Sequence, residues 1–228
     1  LKANDLLMMD IIKANKWERP IYFSVTVTDE NFVGLGDYLL TGGMGRKLVP
    51  YKTDDVSGVS IDKEVMQKSL FDSPSEPSKT PEYGFRFTGL NNPNLFYNED
   101  QTRIAQSYRT VFFQYAYSFA QDSATFPQAE KVLDRMEEVM PRDVIEMDYR
   151  IEYDVALLYD RLGNKQKFEA LADNVQRRAE EARHHLLPDQ RGDQGASGAC
   201  EGVSRERRPL QRQLLRHPEQ RGFHRRQL

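Results

Sequence analysis

The 228-residue sequence predicts an α+β protein, mostly α, in which a small N-terminal α/β portion packs on degenerate helical hairpins. Three observations lead there. Apolar residues recur at helical spacing, with capping signals, through most of residues 98–186. One run, Ile21–Val27, is dense in β-branched and aromatic strand formers. Glycine, proline and serine cut the first 97 residues into short elements that no long helix can bridge. The expected organisation is 1–97 as the α/β portion, with a Pro/Ser-rich loop at 72–83, then 98–186 as helical hairpins, then 187–228 as a basic tail, disordered or read in a shifted frame.

In order, Asn4 or Asp5 is expected to cap a helix whose Leu6, Leu7, Met9, Ile11 and Ile12 cover more than one face, predicting burial on several sides. Pro20 disfavours helical geometry at Arg19, so helix, turn and strand Ile21–Val27 follow, with Trp17 as a wedge filling the corner. Thr28 and the acidic Asp29-Glu30 open a short helix carrying Phe32, Val33, Leu35, Tyr38 and Leu39, interrupted by Gly34 and Gly36. Thr41-Gly42-Gly43-Met44-Gly45-Arg46-Lys47 looks like a phosphate loop but fails the test. No glycine pair has four residues between it ahead of Lys-Ser/Thr, and Lys47 is followed by Leu48, so a flexible turn before a strand Lys47–Lys52 is the better reading. Ile61, Val65, Met66 and Leu70 mark a helix to Phe71. The Ser73–Pro81 linker, a short strand or extended arm Gly84–Leu90 and a turn at Asn91–Asn94 come next.

Asn98 and Gln101 form a capping-box start for a helix bearing Ile104, Tyr108, Val111, Phe112, Tyr115 and Phe119. Pro127 suits the first turn of the next, which uses Ala129, Val132, Leu133, Met136, Val139 and Met140 up to Pro141. A third helix runs from about Met147 to Leu162 and stops at Gly163-Asn164. The last carries Phe168, Leu171, Ala172, Val175 and Ala179 towards His185.

Composition narrows the function classes. With 39% hydrophobic residues, a chain of this length can bury roughly 70% of its unfolded surface. The net charge of -3 conceals a split. Residues 1–186 hold 23 Lys/Arg against 30 Asp/Glu, residues 187–228 hold 9 against 5, so nucleic-acid binding is not indicated for the body. The tail has nine Arg and no Lys, unlike the body, and a functional basic arm is weighed below disorder or a frameshift. Cys200 is the only cysteine, which excludes an intrachain disulfide or a thiolate metal site. Apolar runs such as Leu6–Met9 are far short of the ~20 residues a membrane span needs. Because the sequence opens on Leu1 and almost at once on a helix, an upstream portion is expected, and any membrane segment or targeting signal with it.

No catalytic, cofactor-binding or metal-ligating residue is assigned. His184, His185, His217 and His224 all lie at or beyond the end of the last helix, which leaves the body without histidine chemistry. Carboxylate chemistry through Asp29, Glu30, Asp37 or Asp54-Asp55 stays open, though nothing in their spacing lifts them above surface charge. No cofactor and no metal are expected.

Two resemblances add to this. Ala129, Leu133, Met136 and Pro141, and then Tyr159 and Gly163, resemble parts of tetratricopeptide repeats, with Phe168 standing where a small residue is usual. The segments A-N-K-W-E-R-P-I-Y-F-S-V-T-V, G-L-G-D-Y-L-L and R-K-L-V-P-Y-K, in that order, resemble the C-terminal region of a family of bacterial multi-pass membrane proteins frequent in Bacteroidetes. That family is of unknown function and related to protein O-mannosyltransferases. The likeness covers about residues 4–183; the Gly-rich turn at 42–45 and everything after Leu187 depart from it. It implies a parent that is a membrane-embedded glycosyltransferase using a lipid-linked sugar, with its catalytic carboxylate outside this segment. The chain is then expected to be a non-catalytic extracytoplasmic accessory domain, on the periplasmic side of the inner membrane. Its expected partners are the membrane-embedded remainder and an acceptor protein. The alternative is a free-standing tetratricopeptide-like adaptor that binds peptides; the sequence upstream of Leu1 separates the two.

Overall fold

The computed structural model describes residues 2–53, 60–72 and 84–186. The architecture is α+β and mostly α, as expected from the sequence. Leu1–Ala172 form one compact unit and Asp173–Leu228 a second. The Ser73–Pro81 linker and the tail after Leu186 lie outside the described residues.

The chain begins with α1, Ala3–Asn15. Lys2 is its N-cap, and the Asp5 carboxylate reaches back to accept the Lys2 backbone N–H at 2.7 Å, so the start falls two or three residues earlier than the capping signals suggested. Lys16 (φ 48°) and Trp17 (φ 63°) then take left-handed backbone in succession, which costs on the order of 1 kcal/mol each for residues with a Cβ. Two bonds close that turn: Glu18 N–H to Asn15 O at 2.9 Å and Asn15 Nδ2 to Arg19 O at 2.7 Å.

The expected strand Ile21–Val27 shortens to β1, Tyr22–Ser24. The Ser24 hydroxyl is the cause. Its oxygen accepts from Thr26 N at 3.3 Å and shares a 2.8 Å bond with Thr26 Oγ1, while Val27 N–H returns to Ser24 O, so the chain turns instead of extending. The helix expected after Thr28 is corrected to two 3-10 turns, Asp29–Phe32 and Gly36–Tyr38, separated by Val33 and Gly34, both at positive φ. No helix can pass through two such residues.

The expected flexible turn at Thr41–Lys47 is a tight hairpin. β2 (Leu39–Gly42) and β3 (Gly45–Leu48) pair antiparallel with Gly42 opposite Gly45. Only Gly43 of the two central residues has positive φ, the requirement of a type II′ connection. Gly42 is needed for close packing too, because a Cβ there would stand 2.9 Å from Val65 Cγ1. The strand foreseen at Lys47–Lys52 therefore starts earlier and ends at Leu48. A two-residue β4, Ser60–Ile61, adds parallel to β2, giving a sheet ordered β1-β3-β2-β4. Of the two readings of Gly84–Leu90, strand or extended arm, the strand does not form. Phe85 N–H donates to Ser69 O at 2.8 Å, and the rings of Phe85 and Phe87 pack against Tyr108.

The helices follow their sequence signals closely. Asp62 caps α2, Lys63–Phe71, through a bond from Val65 N–H. Asn98 and Gln101 make the full reciprocal capping box on α3, Glu99–Phe119, at 2.8 and 2.9 Å. Pro127 lies in the first turn of α4, Phe126–Val139. Asp148 caps α5, Tyr149–Arg161, and Gly163 at φ 81° ends it before α6, Lys165–Leu186.

The main core joins α2, the ring segment at 85–90 and the helices from α3 onward, through Met66, Leu70, Phe87, Phe112, Leu133, Met136, Met140 and Leu171. A smaller cluster, Phe32, Leu39 and Leu48 with Ile12, Ile21 and Phe23 against it, seats α1 on the sheet. On α3 the expected Val111, Phe112 and Tyr115 are buried, joined by Ala105, Arg109 and Ala116, while Ile104 faces out.

Candidate functional site

Two places stand out once the fold is known. The first is the α1 corner. A helix that is apolar nearly all round needs cover all round, yet α1 lends only its Ile12 side to the small cluster. Leu6 (54%), Leu7 (62%) and Ile11 (53%) stay exposed, and Met9 with them. Trp17, expected as a buried wedge, is half exposed, and so is Tyr22 on β1. The left-handed turn at Lys16-Trp17 swings the indole off the corner rather than into it. Lys13, Lys16 and Arg19 flank this surface without a carboxylate partner among the described residues. Covering the four aliphatic side chains would stabilise by about 1 kcal/mol each, since roughly half of each is already out of water.

The second is a cavity of about 310 Å³ between α4, α5 and the start of α6. Its floor is apolar, with Met136, Met147, Val155 and Leu171 all nearly inaccessible. Its rim is charged. The Arg142 guanidinium donates from Nε to Glu137 Oε1 at 3.0 Å and stands 3.8 Å from the buried Glu152. Lys167 Nζ pairs with Asp134 and sits 5.0 Å from the centre of the Tyr159 ring. Asn164 donates to Glu130 at 3.1 Å.

The loop carrying Arg142 is positioned from α3 by a residue the sequence did not single out. Arg109 is completely buried, and its guanidinium donates to the carbonyls of Met140 (2.9 Å), Ile145 (2.5 Å) and Glu146 (2.9 Å). Burial pulls it down to about 10, so it remains charged at neutral pH. Gln106 assists, donating to Glu146 O and accepting from Asp148 N–H. An arginine at the centre of an apolar helical row was the available signal.

The carboxylates left open by the sequence are not brought together. Asp29 is almost wholly exposed and pairs with Arg46 at 3.6 Å; Asp37 pairs with Lys52 at 3.1 Å; Glu30 is exposed. Asp54-Asp55, Cys200, His217 and His224 lie outside the described residues, as do the side chains of His184 and His185. Among the described residues no group of three or more His, Cys, Asp or Glu is placed to hold a metal ion, and no helix is long and apolar enough to cross a membrane.

The exposed α1 face, the corner and the hairpin form one continuous stretch of sequence, which is where a known family enters. Residues 1–69 match the family model of TMEM260-associated domain 2. Nothing among curated proteins or solved structures matches the chain. The TMEM260-associated stretch contains α1, the whole four-stranded sheet and most of α2, so the exposed apolar surface belongs to it and the cavity does not.

Burial gives a pH dependence to check. Tyr115 donates its hydroxyl to Gln67 Oε1 at 3.2 Å, and burial pushes it above its ordinary 10.0; burial and the nearby carboxylates of Asp134 and Glu137 push Tyr159 up as well. An acid whose folded value is raised loses its proton first in the unfolded chain, so stability is intact below the unfolded value and declines as pH passes it. Wild type is expected to lose stability more steeply between about pH 9 and about pH 11 than the Tyr115→Phe/Tyr159→Phe variant. Urea titrations across that range check it.

Proposed function

We propose that this chain is a non-catalytic accessory region of a TMEM260-like protein, a family related to protein O-mannosyltransferases, and that it docks on the membrane-embedded part through α1. The observation that carries the reading is the exposure of Leu6, Leu7, Met9 and Ile11 within the matched stretch. A soluble domain standing alone has no use for an apolar helix covered on one side only. Trp17 and Tyr22 extend that surface with amphipathic rings, and Lys13, Lys16 and Arg19 border it. Rings and cations of this kind suit a position close to a bilayer surface. The reading places the domain on the extracytoplasmic side, periplasmic in a bacterial host, beside a glycosyltransferase centre that lies elsewhere in the protein. The hairpin helices then serve as the face turned to an acceptor protein.

A photo-crosslinking residue at position 7 or 11 of the full-length protein in native membranes tests this. Capture of the membrane-embedded part is expected from both positions and not from Leu157 on α5. Crosslinks to water and lipid alone would overturn the reading.

A further inference from the structure

The corner that closes α1 deepens the docking reading and rests on it, since a chain docked on the membrane-embedded part lies beside a bilayer. We propose that Lys13, Lys16, Trp17 and Arg19 form a contact site for the headgroups of an anionic lipid surface.

The chemistry of α1 changes along its length. Its inward side is Met8, Ile12 and Asn15, which are half-buried in a row. Among the exposed side chains Leu6, Leu7, Met9 and Ile11 come first, interrupted by Asp10, and Lys13, Lys16, Trp17 and Arg19 follow as a group. Lys13 continues the face that carries Leu6 and Met9, at i, i+3 and i+7. An apolar stretch that gives way to an indole and cations is the order met on passing from the apolar interior to the headgroup layer.

The charge has the sign an anionic surface needs. Lys13, Lys16 and Arg19 are exposed and make no ion pair among the described residues. Glu18 is the one carboxylate within 13–19. Even with Asp10 counted, the corner keeps an excess of cations, on a body whose residues 1–186 hold 23 Lys/Arg against 30 Asp/Glu. An anionic surface repels the rest of that body and draws this end, which sets the orientation of approach.

The indole is held outward by the backbone. Lys16 and Trp17 both keep left-handed φ, and the turn is closed by Asn15 Nδ2 donating to Arg19 O at 2.7 Å and by Glu18 N–H donating to Asn15 O at 2.9 Å. Trp17 is thereby half exposed on a bonded turn, so binding has little left to order. Tyr22 repeats the pairing on β1, the edge strand that leaves the corner. It is 59% exposed and stands opposite the exposed Lys47 in the β1–β3 register.

Trp17 is the only tryptophan, so its fluorescence reads the contact directly. The full chain is titrated with vesicles of phosphatidylglycerol and phosphatidylcholine in equal parts, and with vesicles of phosphatidylcholine alone. The mixed vesicles are expected to shift Trp17 emission to shorter wavelength and shield it from acrylamide, less so as salt rises, and the neutral ones are not. Lys13→Gln/Lys16→Gln/Arg19→Gln should partition about a hundredfold more weakly, about fivefold for each cation. All three side chains are exposed, so the variant should melt as wild type does. An emission unchanged by mixed vesicles, an equal response to neutral ones, or a triple variant that binds as tightly as wild type overturns the assignment. Sedimentation with mixed vesicles without a Trp17 shift does so too, because the nine arginines after residue 187 then carry the binding. Crosslinks from positions 7 and 11 are read separately: if they capture the membrane-embedded part while Trp17 ignores the vesicles, the lipid contact falls and the docking reading stands.

Discussion

Replacement of Arg109 by methionine is expected to lower the unfolding free energy by about 3–5 kcal/mol, a third or more of what a domain of this kind possesses. Methionine fills a similar volume, so the loss reports the hydrogen bonds. Three carbonyls, those of Met140, Ile145 and Glu146, lose their donors inside the protein. Each unsatisfied buried carbonyl costs about 1–3 kcal/mol, and the loop relaxes towards water to recover part of it. Arg109→Lys should recover only a portion, because an ammonium cannot reproduce the planar fork that reaches three acceptors at once. Urea denaturation measures both. The same substitution should loosen the loop bearing Arg142, so the cavity rim ought to lose order before the rest of the fold.

Phe112→Ala is expected to cost a comparable amount, about 3–5 kcal/mol. Phe112 is completely buried and its ring centre lies 5.7 Å from that of Phe87. Phe87 also meets Tyr108 of α3 at 5.6 Å, and Tyr108 meets Phe85 at 5.1 Å, so Phe112 and Tyr108 together hold the segment 85–90 against α3. Because no strand holds that segment, its protection should fall further than that of α3 itself. Hydrogen exchange at the Phe85 amide, bonded to Ser69 O, reads the release directly. Phe112→Leu should retain most of the stability, since it leaves a smaller cavity.

The helical half was legible in the sequence because its signals are local. Asn98 with Gln101, Pro127 in a first turn and Gly163 at a C-terminus each specify an end without reference to the rest of the chain. The sheet was not legible in the same way. Its strands are two to four residues long, too short for alternation to register, and β2 pairs with Ser60–Ile61 across a stretch no local pattern describes. Leu39–Gly42 read as the end of a helix and the start of a flexible turn, when it is one of the two inner strands. Ser24, through its hydroxyl, and Val33, through its left-handed backbone, redirect the chain where propensity would have continued it.

The candidate sites divide similarly. The wide apolar coverage of α1 was visible, but it implied burial, and only the structure shows Leu6, Leu7 and Ile11 facing outward. Nothing in the spacing of Asp134, Tyr159 and Lys167 announces a cavity, because they come from three helices and meet only after packing. Arg109 was within reach of inspection, lying between Ala105 and Phe112 on the buried row of α3, where a charge has to serve a purpose.

The claim that α1 is a docking face is tested most directly by Leu7→Asp combined with Ile11→Asp. The account predicts that the isolated chain keeps its melting temperature, since both side chains are exposed, while association with the membrane-embedded part of the full protein is lost. A double variant that destabilises the chain yet still associates would contradict it, and would make α1 an ordinary structural helix.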